Sequence, residues 1–92
     1  MPRLSEKQLA VALNSLAGWS AENNEISKTF AFGDFVAAVA FVNRLADLAE
    51  AAGHHPDIDI RYNRVRIALT THDDGGITDK DTGLAAQIDG VA

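Results

Sequence analysis

The strongest constraint on the fold is the segment Phe35 to Ala52, the most apolar stretch of the chain. Asp34 stands before it as a capping residue and Gly53 after it as a terminator, so it reads as one helix. Val39, Val42, Leu45, Ala46 and Ala49 form a broad apolar stripe, which Phe35, Phe41 and Leu48 widen further. A helix this apolar around its circumference is buried on more than one side. In a chain of 92 residues the second side is expected to be another subunit. Arg44, Asp47 and Glu50 interrupt the segment, so it is not expected to cross a bilayer.

The remaining elements are placed around that helix. Ser5 and Gln8 form a capping box, with Leu4 set to staple onto Leu9, and Leu9, Ala12, Leu13 and Leu16 continue at helical spacing to Gly18. Trp19 to Glu22 and Glu25 to Phe32 read as strands joined at Asn23-Asn24, with Lys28 the weak point in an Ile26, Phe30, Phe32 face. Past Gly53 and Pro56, Ile58, Ile60 and Tyr62 alternate with Asp57, Asp59 and Arg61, a half-buried strand in which Tyr62 is expected in the core. Asn63-Arg64 is then the hairpin turn, although Arg is a poor second residue there. Val65, Ile67, Leu69 and Thr71 make the return strand. After the loop Asp73-Asp74-Gly75-Gly76, Thr78 and Asp81 form another capping signature for a helix reaching Gly90. The order is αββαββα in one domain spanning residues 1–92, an α+β fold with helices covering an antiparallel sheet.

Composition narrows the function. A net charge of −5 with scattered basic residues argues against direct nucleic-acid binding. No cysteine is present, so neither disulfides nor a thiolate zinc site can form. The polar N-terminus is no signal peptide, and a cytoplasmic protein is expected.

All three histidines fall in one third of the chain: His54, His55 and His72. Pro56 pushes His55 toward extended backbone, so the adjacent imidazoles are expected to point to opposite sides. A tight hairpin brings its open ends together, which carries His72 toward His54 and His55. Glu50, in the last turn of the long helix, would favour the imidazolium form of a histidine beside it. Isolated surface histidines are the bland reading. A metal site fits poorly, because adjacent histidines that diverge make bad ligand pairs and no pair has helical spacing. General acid–base catalysis uses two imidazoles in different protonation states and is the leading reading. Asp81 reads as a helix cap that acts on the site by positioning its loop. Trp19 is either a core anchor or a lid over a flat ligand, and the sequence does not separate the two.

The pattern Glu50-x3-His54-His55-Pro56-x5-Tyr62-x9-His72-x8-Asp81 resembles the signature of pterin-4a-carbinolamine dehydratases, also called dimerisation cofactors of a liver homeodomain transcription factor. Gly18-Trp19, Thr71-His72 and Gly76 to Asp81 belong to the match, which spans essentially the whole chain. The resemblance implies a four-stranded antiparallel sheet with three helices, assembling as a homodimer or homotetramer. It also implies dehydration of 4a-hydroxytetrahydropterin to quinonoid dihydropterin, which recycles the cofactor of aromatic amino-acid hydroxylases, with no metal or organic cofactor of its own. By that resemblance His54 and His72 are acid and base, and His55 orients the pterin. His54 to Pro56 and Thr71, His72, Asp73 and Asp74 cradle the ring, with Glu50, Asp81 and Trp19 in support. One departure stands out: some members carry an acid where this chain has Gly53, which either leaves Glu50 or Asp57 to tune His54 or lessens the tuning. A non-catalytic adaptor or assembly protein on the same fold is the alternative, using the apolar helix to hold a protein partner.

Overall fold

The computed structural model describes residues 3–92. Its elements are α1 (Glu6–Asn14), β1 (Ser20–Glu22), β2 (Glu25–Ala31), α2 (Phe35–Ala52), β3 (Asp57–Arg61), β4 (Arg64–Leu69), a one-turn 3₁₀ helix (His72–Asp74) and α3 (Asp79–Val91). The αββαββα order and the antiparallel four-stranded sheet are those expected, with spatial order β1-β2-β4-β3.

Local chemistry accounts for the boundaries. Ser5 Oγ accepts from the Gln8 amide at 3.1 Å and Gln8 Oε1 accepts from the Ser5 amide at 2.8 Å, the reciprocal pair that starts α1. Asn23 and Asn24 both take left-handed backbone (φ 54° and 63°), which matches the twist of the β1–β2 hairpin. Asp34 Oδ1 accepts from the Ala37 amide at 2.8 Å and opens α2. Gly53 closes it at φ 63°; its amide bonds to the Glu50 carbonyl and the His54 amide to the Ala49 carbonyl, both at 3.1 Å. That pair of bonds is the Schellman arrangement, and it fixes the backbone of His54 to the end of α2.

The core lies between α2, α3 and one face of the sheet. In register, Ile26 faces Leu69, Lys28 faces Ile67 and Phe30 faces Val65, so these six residues share that face. Phe41 of α2 packs on Phe30 and Phe32 with ring centroids 4.8 and 5.0 Å away. Leu84, Ala85 and Ile88 of α3 complete the cluster. Lys28 sits on the apolar face without a buried charge: its Nζ lies over the Phe30 ring, 4.9 Å from the centroid, and reaches Asp89 and the Ala17 carbonyl, both at 2.9 Å.

Three expectations need correction. Tyr62 is not a core residue; it is 69% exposed and occupies the hairpin turn with left-handed backbone (φ 52°). The turn is therefore Tyr62-Asn63, and Arg64 is a strand residue paired with Arg61. Ile58 and Ile60 do pair with Ile67 and Val65 on the core face, yet they stay 39% and 37% exposed, because β3 is an edge strand beyond the cover of the helices. In α2 the buried line is Ala38, Phe41, Leu45 and Ala49 rather than the broader stripe. Ala46 and Phe35 are exposed, and Phe35, Val36 and Val39 border a shallow hollow of about 270 Å³ on the outer side. No helix among the described residues is long and apolar enough to cross a membrane.

Candidate active site

The site forms where the β3–β4 hairpin opens. Asp57 pairs with Ala68, so two residues further out on each strand lie His55 and Thr70. Thr71 then bridges to Gly76 by two backbone bonds of 3.0 and 3.3 Å, closing a tight loop around the His72–Asp74 turn. Gly75, at φ 71°, supplies the left-handed step that lets this loop return. The loop is short, so it also brings the first turn of α3 to the same end of the sheet.

These segments enclose an open cavity of about 300 Å³. His54, His55 and His72 all line it, with Thr71 and Asp73 beside them. Gly53, Thr70 and Lys80 complete the wall. The hairpin thus carries imidazoles from distant parts of the chain to one hollow. Pro56, Asp74 and Glu50 are not on the lining, and Trp19 is elsewhere altogether. Its indole is 6% exposed, meets Phe30 edge-on at 6.1 Å and donates to Asp89 at 3.1 Å, so the lid alternative gives way to the core anchor.

The two adjacent histidines have different partners. His54 Nε2 lies 2.5 Å from Asp81 Oδ1, and the carboxylate is fully buried. His55 Nε2 lies 2.5 Å from Glu50 Oε1, with both side chains largely in solvent. Neither Glu50 nor Asp57 reaches His54: Glu50 is engaged with His55, and Asp57 is exposed on the edge strand. The acid that contacts His54 is Asp81, which the sequence presents only as a helix cap.

Asp81 does both jobs with its two oxygens. Oδ2 accepts from the Thr78 amide at 2.9 Å, closing the capping box of α3, and from Thr71 Oγ1 at 2.8 Å. Oδ1 is left for His54. An ionised carboxylate only accepts, so the Thr71 hydroxyl must spend its one proton on Asp81. The 2.8 Å contact between Thr71 Oγ1 and Thr78 Oγ1 then has Thr78 as donor. Thr78 Oγ1 in turn accepts from the Lys80 amide at 3.2 Å. A single direction of donation therefore runs from the start of α3 through two threonines to Asp81. Thr71, Thr78 and Asp81 are the buried polar residues among those described, and no buried side-chain polar atom lacks a partner. Such a fully paired network holds its members rigidly.

Sequence reasoning missed this direct contact and the place of Lys80 and Thr70 in the wall. A signal existed: the cap residue Thr78 lies seven positions after Thr71 across a glycine-rich loop, so the first turn of α3 had to return to the strand end. Among the described residues, no group of three or more His, Cys, Asp or Glu side chains converges as a metal-binding set would.

A sequence profile described as "Pterin 4 alpha carbinolamine dehydratase" matches residues 2–91. The chain belongs to that family. Within the pterin 4 alpha carbinolamine dehydratase family, a protein of Chloroflexus aurantiacus named "Putative pterin-4-alpha-carbinolamine dehydratase" is 65% identical over 91 residues, 99% of this chain and 98% of the relative. A relative of the same name from Sulfurisphaera tokodaii is 51% identical over 89 residues, covering 97% of this chain and 96% of its own. Among solved structures, a "transcriptional coactivator/pterin dehydratase" from Brucella melitensis superposes with a TM-score of 0.95 at 36% identity over 98% of both chains. A pterin dehydratase-like protein identified as a RuBisCO assembly factor in the alpha-carboxysome gives a TM-score of 0.66 at 31% identity, over 80% of this chain and 86% of its own.

Proposed function

We propose that the protein dehydrates 4a-hydroxytetrahydropterin to quinonoid dihydropterin by histidine acid–base catalysis. One observation carries the reading: three histidines line a single cavity, and one of them is held by a fully buried carboxylate. The chemistry asks for two proton transfers. A proton must reach the hydroxyl oxygen on C4a so that it leaves as water, and the proton on N5 must depart. The electron pair of the N5–H bond then forms the C4a=N5 double bond as the C4a–O bond breaks.

Asp81 suits His54 to the second transfer. As an obligate acceptor it keeps hydrogen on Nε2, so Nδ1 is the lone-pair atom of the neutral ring. His54 then takes the N5 proton while Asp81 offsets the charge that appears on the ring, as in other Asp–His pairs. His72, on the far side of the hairpin mouth, donates to the leaving oxygen. His55 orients the ring from the exposed side, with Glu50 bracing it. Thr71 and Asp73 contribute to the cradle, flanked by Pro56 and Asp74. The product supplied is the one that hydroxylases of aromatic amino acids would need restored.

A binding role without catalysis is the second reading, favoured by the exposed apolar side of α2 and by the assembly factor on the same fold. The near-complete superposition on the pterin dehydratase, against the partial one on the assembly factor, supports catalysis. Stopped-flow decay of 4a-hydroxytetrahydropterin separates the two. Wild-type protein is expected to accelerate it, and His54→Ala and His72→Ala each to lose about 10²–10⁴-fold with unchanged circular dichroism. Decay that runs at the same rate with and without protein rejects the dehydratase reading.

A further inference from the structure

One more ionisable side chain faces the cavity and has no place in the proton transfers. Lys80 lines it alongside His54, His55 and His72, from the first turn of α3. The bond from its amide to Thr78 Oγ1 ties its backbone to the buried network. Its ammonium forms no ion pair among the described residues, whereas Lys28 is fully engaged with Asp89 and the Ala17 carbonyl. Asp73 is the one carboxylate on the lining, and Asp81 is committed to His54 and the threonines. In a chain of net charge −5, the lining therefore sets three histidines and Lys80 against the single carboxylate of Asp73, while Asp81 and Glu50 behind it are taken up by His54 and His55.

The bicyclic pterin ring is uncharged at neutral pH, so it gives an ammonium nothing to neutralise. A substituent on C6 can. C6 adjoins N5, one of the two reacting atoms, so a group attached there starts beside the histidines, within the cavity whose wall includes Lys80.

We infer that Lys80 is a specificity-determining residue that favours pterins carrying an anionic group, a phosphate monoester or carboxylate, on the C6 substituent. The inference deepens the dehydratase reading and rests on it for the substrate class. An ammonium is a rotatable point donor on a flexible stem, suited to an anion whose position varies with substituent length. Because Lys80 is exposed, the attraction is screened by salt and modest in size.

The test compares two 4a-hydroxytetrahydropterins, one with a phosphorylated C6 side chain and one with the matching neutral alcohol. Wild type, Lys80→Gln and Lys80→Arg are each assayed by stopped flow. Equilibrium dialysis of the corresponding stable oxidised pterins accompanies the kinetics. The expected result is a KM about five- to tenfold lower for the phosphorylated substrate, with similar kcat, shrinking as salt rises toward about 1 M. Lys80→Gln raises KM for the phosphorylated substrate to that of the neutral alcohol, and Lys80→Arg restores most of the preference. Equal KM values in wild type, or a preference that survives Lys80→Gln, overturns the inference. If wild type turns over neither compound, the dehydratase reading fails and dialysis decides Lys80 by itself. Phosphate-dependent binding lost in Lys80→Gln then upholds the role, and binding without that dependence, or no binding, overturns it.

Discussion

His54 and His55 are chain neighbours, and each places Nε2 2.5 Å from a carboxylate oxygen, yet the two pairs sit in different media. The side chains of His54 and Asp81 are 12% and 0% exposed; those of His55 and Glu50 are 63% and 78% exposed. Water competes for both partners in the second pair and for almost nothing in the first. Identical geometry therefore has unequal consequences: the inner pair fixes a tautomer and a ring orientation, whereas the outer pair is one of several arrangements its side chains can take. The backbone makes the division. The Gly53 terminator anchors His54 against the end of α2, where its ring meets a buried acid, while the His55 ring beside Pro56 stays largely in solvent.

Asp81→Asn is the sharpest way to break that comparison. The amide oxygen can still accept from the Thr78 amide and Thr71 hydroxyl, which keeps the cap. The amide nitrogen then faces His54 Nε2 and demands an acceptor there, moving the ring hydrogen to Nδ1 and removing the base that the proposed reaction requires. Turnover is expected to fall about 10²–10⁴-fold with a small change in melting temperature. Turnover within twofold of wild type would detach the inner pair from catalysis.

Thr71→Val acts on the same network at one remove. Valine keeps the shape and suits the strand end, but it leaves Asp81 Oδ2 one donor short and the Thr78 hydroxyl without its acceptor. Stranding buried polar groups costs about 1–3 kcal/mol. In a chain of this length that lowers the melting point by roughly 4–24 °C. Activity at a temperature where the variant is fully folded should drop less than for Asp81→Asn, by about tenfold. A variant that melts like wild type would mean that water replaces the hydroxyl and that the network is wetter than its burial indicates.

The same contrast explains what could be read from the chain. Caps, terminators and period-two runs act over three to five residues, so Ser5, Asp34, Gly53 and Thr78 located the helix ends and the alternation in β2 and β4 located the core face. That His54 and His72 line one cavity was also legible, because shifting the turn by one residue leaves the same two strand ends side by side. Reading failed where the outcome depends on what covers an element. Ile58 and Ile60 carry the right parity, but no helix lies over the edge strand. Tyr62 continues the Ile58 and Ile60 alternation, although the register places it in the turn. Asp81 was the instructive failure: its capping role was complete as a local explanation, and nothing local showed that its second oxygen was free for His54.

Glu50→Gln is the smallest change and the one that tests the outer pair. Glutamine can still accept from His55 through its amide oxygen, so what disappears is the charge, and an exposed pair of this kind contributes about 0–1 kcal/mol. Removing an acid from the last turn of α2 also relieves an unfavourable interaction with the helix dipole, which offsets part of that loss. The melting temperature is expected to stay within a few degrees of wild type. Turnover should change by less than about threefold, and the difference between variant and wild type should vanish in high salt, where exposed charges are screened. If Glu50→Gln instead matches Asp81→Asn in lost turnover, burial does not rank these two pairs, and His55 rather than His54 would carry the proton.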